Sequence, residues 1–198
     1  RRVLFRSCRR IDSLKEDEMI LVMDFKMKFD PIRYRETTIE HFGKRGLSWH
    51  GLAGYMQCET EPNGLRTIYV DQVVEGSSRQ NVWMVLSCIE ALLQTIRERF
   101  PHIRSVILQS DNARAYNHDT IGPLLCAVNF ESVRRNLLPL VSCLMHTETQ
   151  DGKGMVDAHF ATAMRHVVAY VNSGHDVLSP RQLVTALQPH GGTQRTVS

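Results

Sequence analysis

The stretch MILVMDFKMKF, Met19 to Phe29, constrains the fold more than any other part of the chain. Met19 to Met23 is an unbroken apolar run that suits a strand buried on both faces. From Asp24 onward the pattern alternates, with Lys26 and Lys28 interleaved between Phe25, Met27 and Phe29. Such a segment requires a sheet built around it. One acid, Asp24, falls in its middle, where a buried unpaired carboxylate costs several kcal/mol or more unless a cation or partner compensates. An ion pair with Lys26 or Lys28 is the structural alternative, but residues two apart on a strand share a face and diverge in reach. Asp24 is therefore read as pointing at a site.

The remaining pattern sets the order of elements. LSWHGLAGYMQCE from Leu47 and RTIYVDQVVEG from Arg66 read as two further strands, joined by TEPNGL, whose Pro62, Asn63 and Gly64 are a turn signal. From Ser78 to Phe100 the apolar residues Val82, Val85, Leu86, Ile89, Leu92, Leu93 and Ile96 recur at helical spacing, and Pro101 ends the helix. IRSVILQ is a fourth strand. A helix is expected between Asn112 and Asn136, interrupted near Gly122 and Pro123, and LLPLVSCLMHTE gives a fifth strand. MVDAHFATAMRHVVAYVNSG is an amphipathic helix stopped by Gly174. SPRQLVTALQ is a short helix with Ser179 as N-cap and Pro180 at its first position. Three strands as a meander, then helix, strand, helix, strand, helix, is the succession of the ribonuclease H topology. The fold class expected is thus α/β, a ribonuclease H-like mixed five-stranded sheet flanked by helices.

Charge gives less than it first offers. The formal net charge of +3 depends on the opening RRVLFRS, which is the translation of AGACGTGTGCTCTTCCGATCT, a sequencing-library adapter. We expect residues 1–7 to be an artefact and exclude them from fold reasoning. Without Arg1, Arg2 and Arg6 the remaining 21 basic residues balance the 21 acidic ones, so nucleic-acid binding cannot be argued from overall charge. A lead-in segment is expected at 8–18, the catalytic core at 19–188 and a disordered or truncated tail at 189–198, with the natural protein extending upstream. The cysteines, Cys8, Cys58, Cys88, Cys126 and Cys143, are odd in number and lack a CxxC pair; those in apolar runs, Cys88, Cys126 and Cys143, read as buried free thiols. No signal peptide is apparent, and the apolar runs fall far short of the roughly 20 residues of a membrane helix. The expectation is a soluble intracellular protein with no membrane partner, nuclear if the source is eukaryotic.

In the ribonuclease H topology, carboxylates come from the first strand, the end of the fourth and the helix after the fifth. Asp24 and Asp111, the latter in SVILQSDNARAY, occupy the first two places. Asp111 alone could equally cap the next helix. For the third place Glu148, Asp151 and Asp157 compete. Asp157 is favoured because it lies in the first turns of a helix and can project back toward the strand ends, whereas Asp151 suits a turn. Three carboxylates fit two divalent ions about 4 Å apart that activate water or a 3′ hydroxyl and stabilise the leaving oxygen of a phosphodiester. Hard Mg²⁺ or Mn²⁺ needs only oxygen donors and keeps several waters.

The segments MDFKMKF, FGKRGLSWHG, VDQVVEGSSRQN, LQSDNARAY and TETQDGKGMVDAHFA together resemble the catalytic core of eukaryotic cut-and-paste transposases of the ribonuclease H-like DDE/DDD, integrase-like superfamily. The resemblance covers roughly Met19 to Gly174. It implies Asp24, Asp111 and Asp157 as the metal-binding and catalytic triad. Because Glu is the familiar third member in better known DDE enzymes, Glu148 stands as the rival third ligand. The resemblance further implies DNA partners, transposon ends and target, and a homo-oligomer as the assembly. Rivals are a nuclease of the same fold and an inactive, domesticated DNA-binding or assembly module. The exonuclease Asp-x-Glu pair is not matched, since Lys26 stands two residues after Asp24.

Smaller expectations attach to other residues. Lys153, between Gly152 and Gly154 at a helix entrance, could hold a phosphate. Asn112 could orient Asp111, contact DNA or simply cap the next helix, and His50 with Trp49 could reach the DNA backbone or stack on a base, Trp49 fitting a core role better. His146 and His159 could assist proton transfer, with packing or surface roles as the plainer alternative. Asp71, at the end of TIYV, could support the first strand or be an ordinary acid beside a turn.

Overall fold

The computed structural model describes residues 11, 13–42, 44–76, 79–147, 154–188, 193 and 196–197. The Met19–Phe29 stretch forms the heart of β1 (Glu18–Phe29), which lies between β2 (Leu47–Gln57) and β4 (Ser105–Ser110). β1, β2 and β3 (Leu65–Val74) form an antiparallel meander, whose connection between β2 and β3 carries Gly64 at φ +65°. β4 runs parallel to β1, and β5 (Leu140–His146) runs parallel to β4. Parallel neighbours need crossovers. They are supplied by α2 (Val82–Arg99), between β3 and β4, and α3 (Ile121–Arg134), between β4 and β5. α1 (Thr38–His41) is a single turn inside the β1–β2 connection.

The order β5-β4-β1-β2-β3 is the ribonuclease H-like arrangement expected, a mixed sheet flanked by helices. A two-residue β6 (Thr196–Val197) is added parallel to β3, within the stretch read from sequence as a disordered or truncated tail. The rest of that tail lies largely outside the described residues.

The pleat of β1 splits the core in two. Met19, Leu21 and Met23 face α2 and α3, packing with Val85, Ile89, Leu92 and Leu125. Ile20 faces the other way, toward Phe160, Ala163 and Val167 of α4 (Gly154–Asn172) and Leu183 of α5 (Pro180–Leu187). Helix ends follow local chemistry. Asn81 caps α2 by accepting from the Met84 N–H at 3.1 Å, and Ser179 caps α5 by accepting from the Gln182 N–H at 3.3 Å, with Pro180 opening that helix. Gly174, at φ +101°, follows the end of α4.

Two local expectations change. Gly122 and Pro123 do not interrupt α3 but sit in its first turn, where a missing N–H costs no helical bond. The helix therefore starts at Ile121, and residues 112–120 are turns. Of the three cysteines expected to be buried, Cys88 is buried, Cys143 is half-buried and Cys126 is exposed on α3; all three are free thiols.

Candidate active site

The parallel register of β1 and β4 brings the first two acids together. Met23 pairs with Ser110, so the next residue on each strand, Asp24 and Asp111, emerges at the same edge of the sheet. Asp24 continues the face on which Ile20 meets α4, and Asp157 stands in the first turn of that helix. All three line one cavity of about 700 Å³, together with Lys26, Gln80, Arg114, Tyr116 and Phe160 among others. Three elements far apart in sequence thus place carboxylates on one concave surface.

Asp111 also satisfies the plainer reading in part. Its Oδ1 accepts from the Ala113 N–H at 3.0 Å, closing a local turn, but with α3 starting at Ile121 it caps no helix. Asn112 is exposed beside it and caps nothing either. Glu148, Asp151, Gly152 and Lys153 lie outside the described residues.

Cationic and aromatic groups complete the wall. Lys26 Nζ lies 6.0 Å from the centroid of the Trp49 ring and 5.9 Å from that of Phe160, over two ring faces. The Gln80 side chain donates to the Lys26 carbonyl at 3.3 Å. Tyr116 is 1% exposed, and its hydroxyl has no hydrogen-bond partner among the described residues. Burial first, then the negative charges of Asp24 and Asp111, hold its phenol well above the ordinary tyrosine range, so it stays protonated.

Several sequence expectations move. His50 is fully buried, its ring 4.7 Å from Phe25 and 6.0 Å from Tyr116, so it offers no surface to a DNA backbone. Burial lowers its pKa to about 4, opposed by its hydrogen bond with Gln72. Trp49 is likewise core. His159 faces away from the cavity and lies 2.7 Å from Asp71 through Nε2, stacked on Tyr69 with ring centroids 4.3 Å apart. Asp71 is therefore no acid beside a turn: its other oxygen accepts from Trp49 Nε1–H at 2.8 Å. His146 is exposed at the end of β5, within 3.2 Å of Ser110 Oγ.

The donor set suits a hard divalent cation, since carboxylate oxygens are the ligands such ions prefer. Among the described residues no group of three or more His, Cys, Asp or Glu side chains is arranged to hold a metal ion. Among the described residues no helix is long and apolar enough to cross a membrane.

The chain belongs to the family described as domain of unknown function DUF8701, whose model matches residues 5–192. No curated protein sequence matches it significantly. Among solved structures it is similar to the Mos1 mariner paired end complex with Mn, at 13% identity and a TM-score of 0.45, over 93% of this chain and 55% of that one. The Mos1 strand transfer complex is similar at 14% identity and a TM-score of 0.42, with 93% and 55% covered. The chain spans about half the length of these solved chains, at 55% of each.

Proposed function

We propose that the acidic cavity is the active site of a divalent-cation-dependent polynucleotidyl transferase that cleaves DNA strands and transfers the ends, as the catalytic core of a transposase does. The observation that carries this reading is the presence of Asp24, Asp111 and Asp157, from β1, the end of β4 and α4, on the wall of one cavity. Asp24 and Asp111 would hold Mg²⁺ or Mn²⁺ with Asp157, Glu148 being the alternative third ligand. Such ions, when bound, neutralise phosphodiester charge and acidify the attacking water or 3′ hydroxyl.

The chain's own groups bind and orient. Lys26, held over Trp49 and Phe160, and Arg114, exposed on the wall, present positive charge to a phosphate entering the cavity. Lys153, which precedes α4 in the sequence, is the further cation proposed to meet a phosphate, with the helix N-terminus favouring an anion. Asn112, exposed beside Asp111, would make a polar contact to DNA in this reading. DNA ends and target DNA are the partners of this reading, with a homo-oligomer as the assembly and the nucleus as the compartment in a eukaryote.

The test is nicking and joining of a DNA duplex by the purified chain in Mg²⁺ or Mn²⁺, wild type beside Asp111→Ala, with Mn²⁺ affinity measured for both. Cation-dependent nicking lost in the variant supports the reading. Equal Mn²⁺ affinity in the two proteins defeats it. Joining of cleaved ends separates strand transfer from simple nuclease action.

A further inference from the structure

Two buried polar atoms beside the acidic cavity have no hydrogen-bond partner among the described residues: Tyr116 Oη and His50 Nε2. Their rings are neighbours, with centroids 6.0 Å apart and planes inclined at 33°, and both pack against Phe25. A buried polar group left without a partner costs about 1–3 kcal/mol. Two such atoms on adjacent rings therefore call for a joint explanation.

The surroundings fix what each atom can do. Gln72 uses its side-chain N–H to donate to the Cys88 carbonyl at 2.8 Å, which turns its Oε1 toward His50 Nδ1, also at 2.8 Å. An amide oxygen can only accept, so His50 carries its hydrogen on Nδ1. The imidazole is neutral in its buried setting, which leaves the Nε2 lone pair as an acceptor with nothing to accept. The Tyr116 phenol keeps its proton and so has one O–H to donate and lone pairs to spare. One orphan is an obligate acceptor, and the other is a donor.

We propose that Tyr116 donates its hydroxyl proton to His50 Nε2, directly after a small ring rotation or through one buried water, and that this turns the phenol's lone pairs toward Asp24 and Asp111. The chain of bonds then runs from Tyr116 through His50 and Gln72 to the Cys88 carbonyl on α2. Tyr116 becomes a positioning residue of the cavity. Its oxygen is held as an acceptor for the water that a hydrated divalent cation retains. This second half rests on the cation-binding reading of the site; the Tyr116–His50 pair does not.

Two measurements separate the halves. Long-range ¹H–¹⁵N histidine spectra of the full chain, without metal, report the tautomer and hydrogen bonding of His50, its signals assigned in the wild type through the ring's proximity to Phe25. The expected result is the Nδ1–H tautomer at neutral pH, with an Nε2 resonance upfield of a free imine nitrogen that moves downfield in Tyr116→Phe. An Nε2–H tautomer in the wild type, a reading that needs no variant to fold, overturns the pair, as does an Nε2 signal unchanged by Tyr116→Phe. Calorimetric titration with Mn²⁺ then tests the positioning role, with Asp111→Asn as control. Tyr116→Phe is expected to bind about tenfold more weakly. Unchanged affinity in Tyr116→Phe with loss in Asp111→Asn overturns the role of Tyr116 alone. Unchanged affinity in both overturns the cation reading and the positioning role with it, while the His50 signals still decide the pair.

Discussion

Gly51 lies directly beneath the ring of Phe160: a Cβ at position 51 would stand 2.4 Å from Phe160 Cζ and 2.6 Å from Cε1. Gly51 pairs with Asp24 on one side and Asp71 on the other, so a row across the sheet reads Asp24, Gly51, Asp71. α4 settles on that row through Phe160, three residues after Asp157 and one after His159. Gly51→Ala must push the ring and its helix outward. The expected cost is about 1–3 kcal/mol of stability by overpacking. Phe160→Leu, which shortens the obstructing side chain, should restore part of it. Urea denaturation of both single variants and the double checks this, and strictly additive losses would show that the two residues are not coupled.

Asp71 uses both carboxylate oxygens, one for Trp49 Nε1–H and one for His159, with its side chain 7% exposed and that of His159 2% exposed. Asp71→Ala leaves two buried groups unpaired and frees α4 from β3. A loss of about 3 kcal/mol is expected, which for a chain of this length is a fall in Tm of about 6–12 °C by calorimetry. A fall below about 2 °C, less than 1 kcal/mol on that scale, would mean that this pair does not anchor the helix.

His50 gives stability a defined pH dependence. Its folded pKa is about 4, below the unfolded value of about 6.5. Between those values the unfolded chain binds the proton that the folded chain refuses. The contribution is thus complete above about pH 6.5 and is lost as pH falls toward 4, amounting to about 3 kcal/mol over that window. Denaturant midpoints at pH 7 and pH 5 should drop more in the wild type than in His50→Gln. Parallel profiles would place the titration elsewhere.

The strands and long helices were legible because hydrophobic period and turn residues act locally, as in Met19–Phe29 and in the capped helix from Pro180. Asp24 and Asp111 could be singled out as candidates for a related reason, since an acid within or just past an apolar strand is a local anomaly. The residues that sequence reading missed are those defined by what lies across from them. Tyr116 sits in a turn without periodicity, and Asp71 became a support for α4 only once His159, 88 residues on, was placed against it. His50 looked like a surface residue beside basic GKR, but the strand buried it. Gly51 carried a readable signal, because glycine within a strand marks a close approach, although its partner Phe160 could not be named in advance.

The third acid can be assigned by separating stability from chemistry. Asp157 is exposed in the first turn of α4, so Asp157→Asn should change the stability of the metal-free chain by no more than about 0.5 kcal/mol. If it shares a cation with Asp24 and Asp111, the same variant should lose most of the stabilisation that Mn²⁺ gives the wild type. At a hundred times the dissociation constant that stabilisation is about 2.7 kcal/mol, or about 5–10 °C in Tm. Loss of a ligand worth about 3 kcal/mol to the transition state would also slow cation-dependent nicking by about a hundredfold. Glu148→Gln is the matched comparison. Retention of both the Mn²⁺ shift and the nicking rate in Asp157→Asn, with loss of both in Glu148→Gln, would transfer the third position to Glu148 and leave Asp157 as a solvated acid near the helix N-terminus.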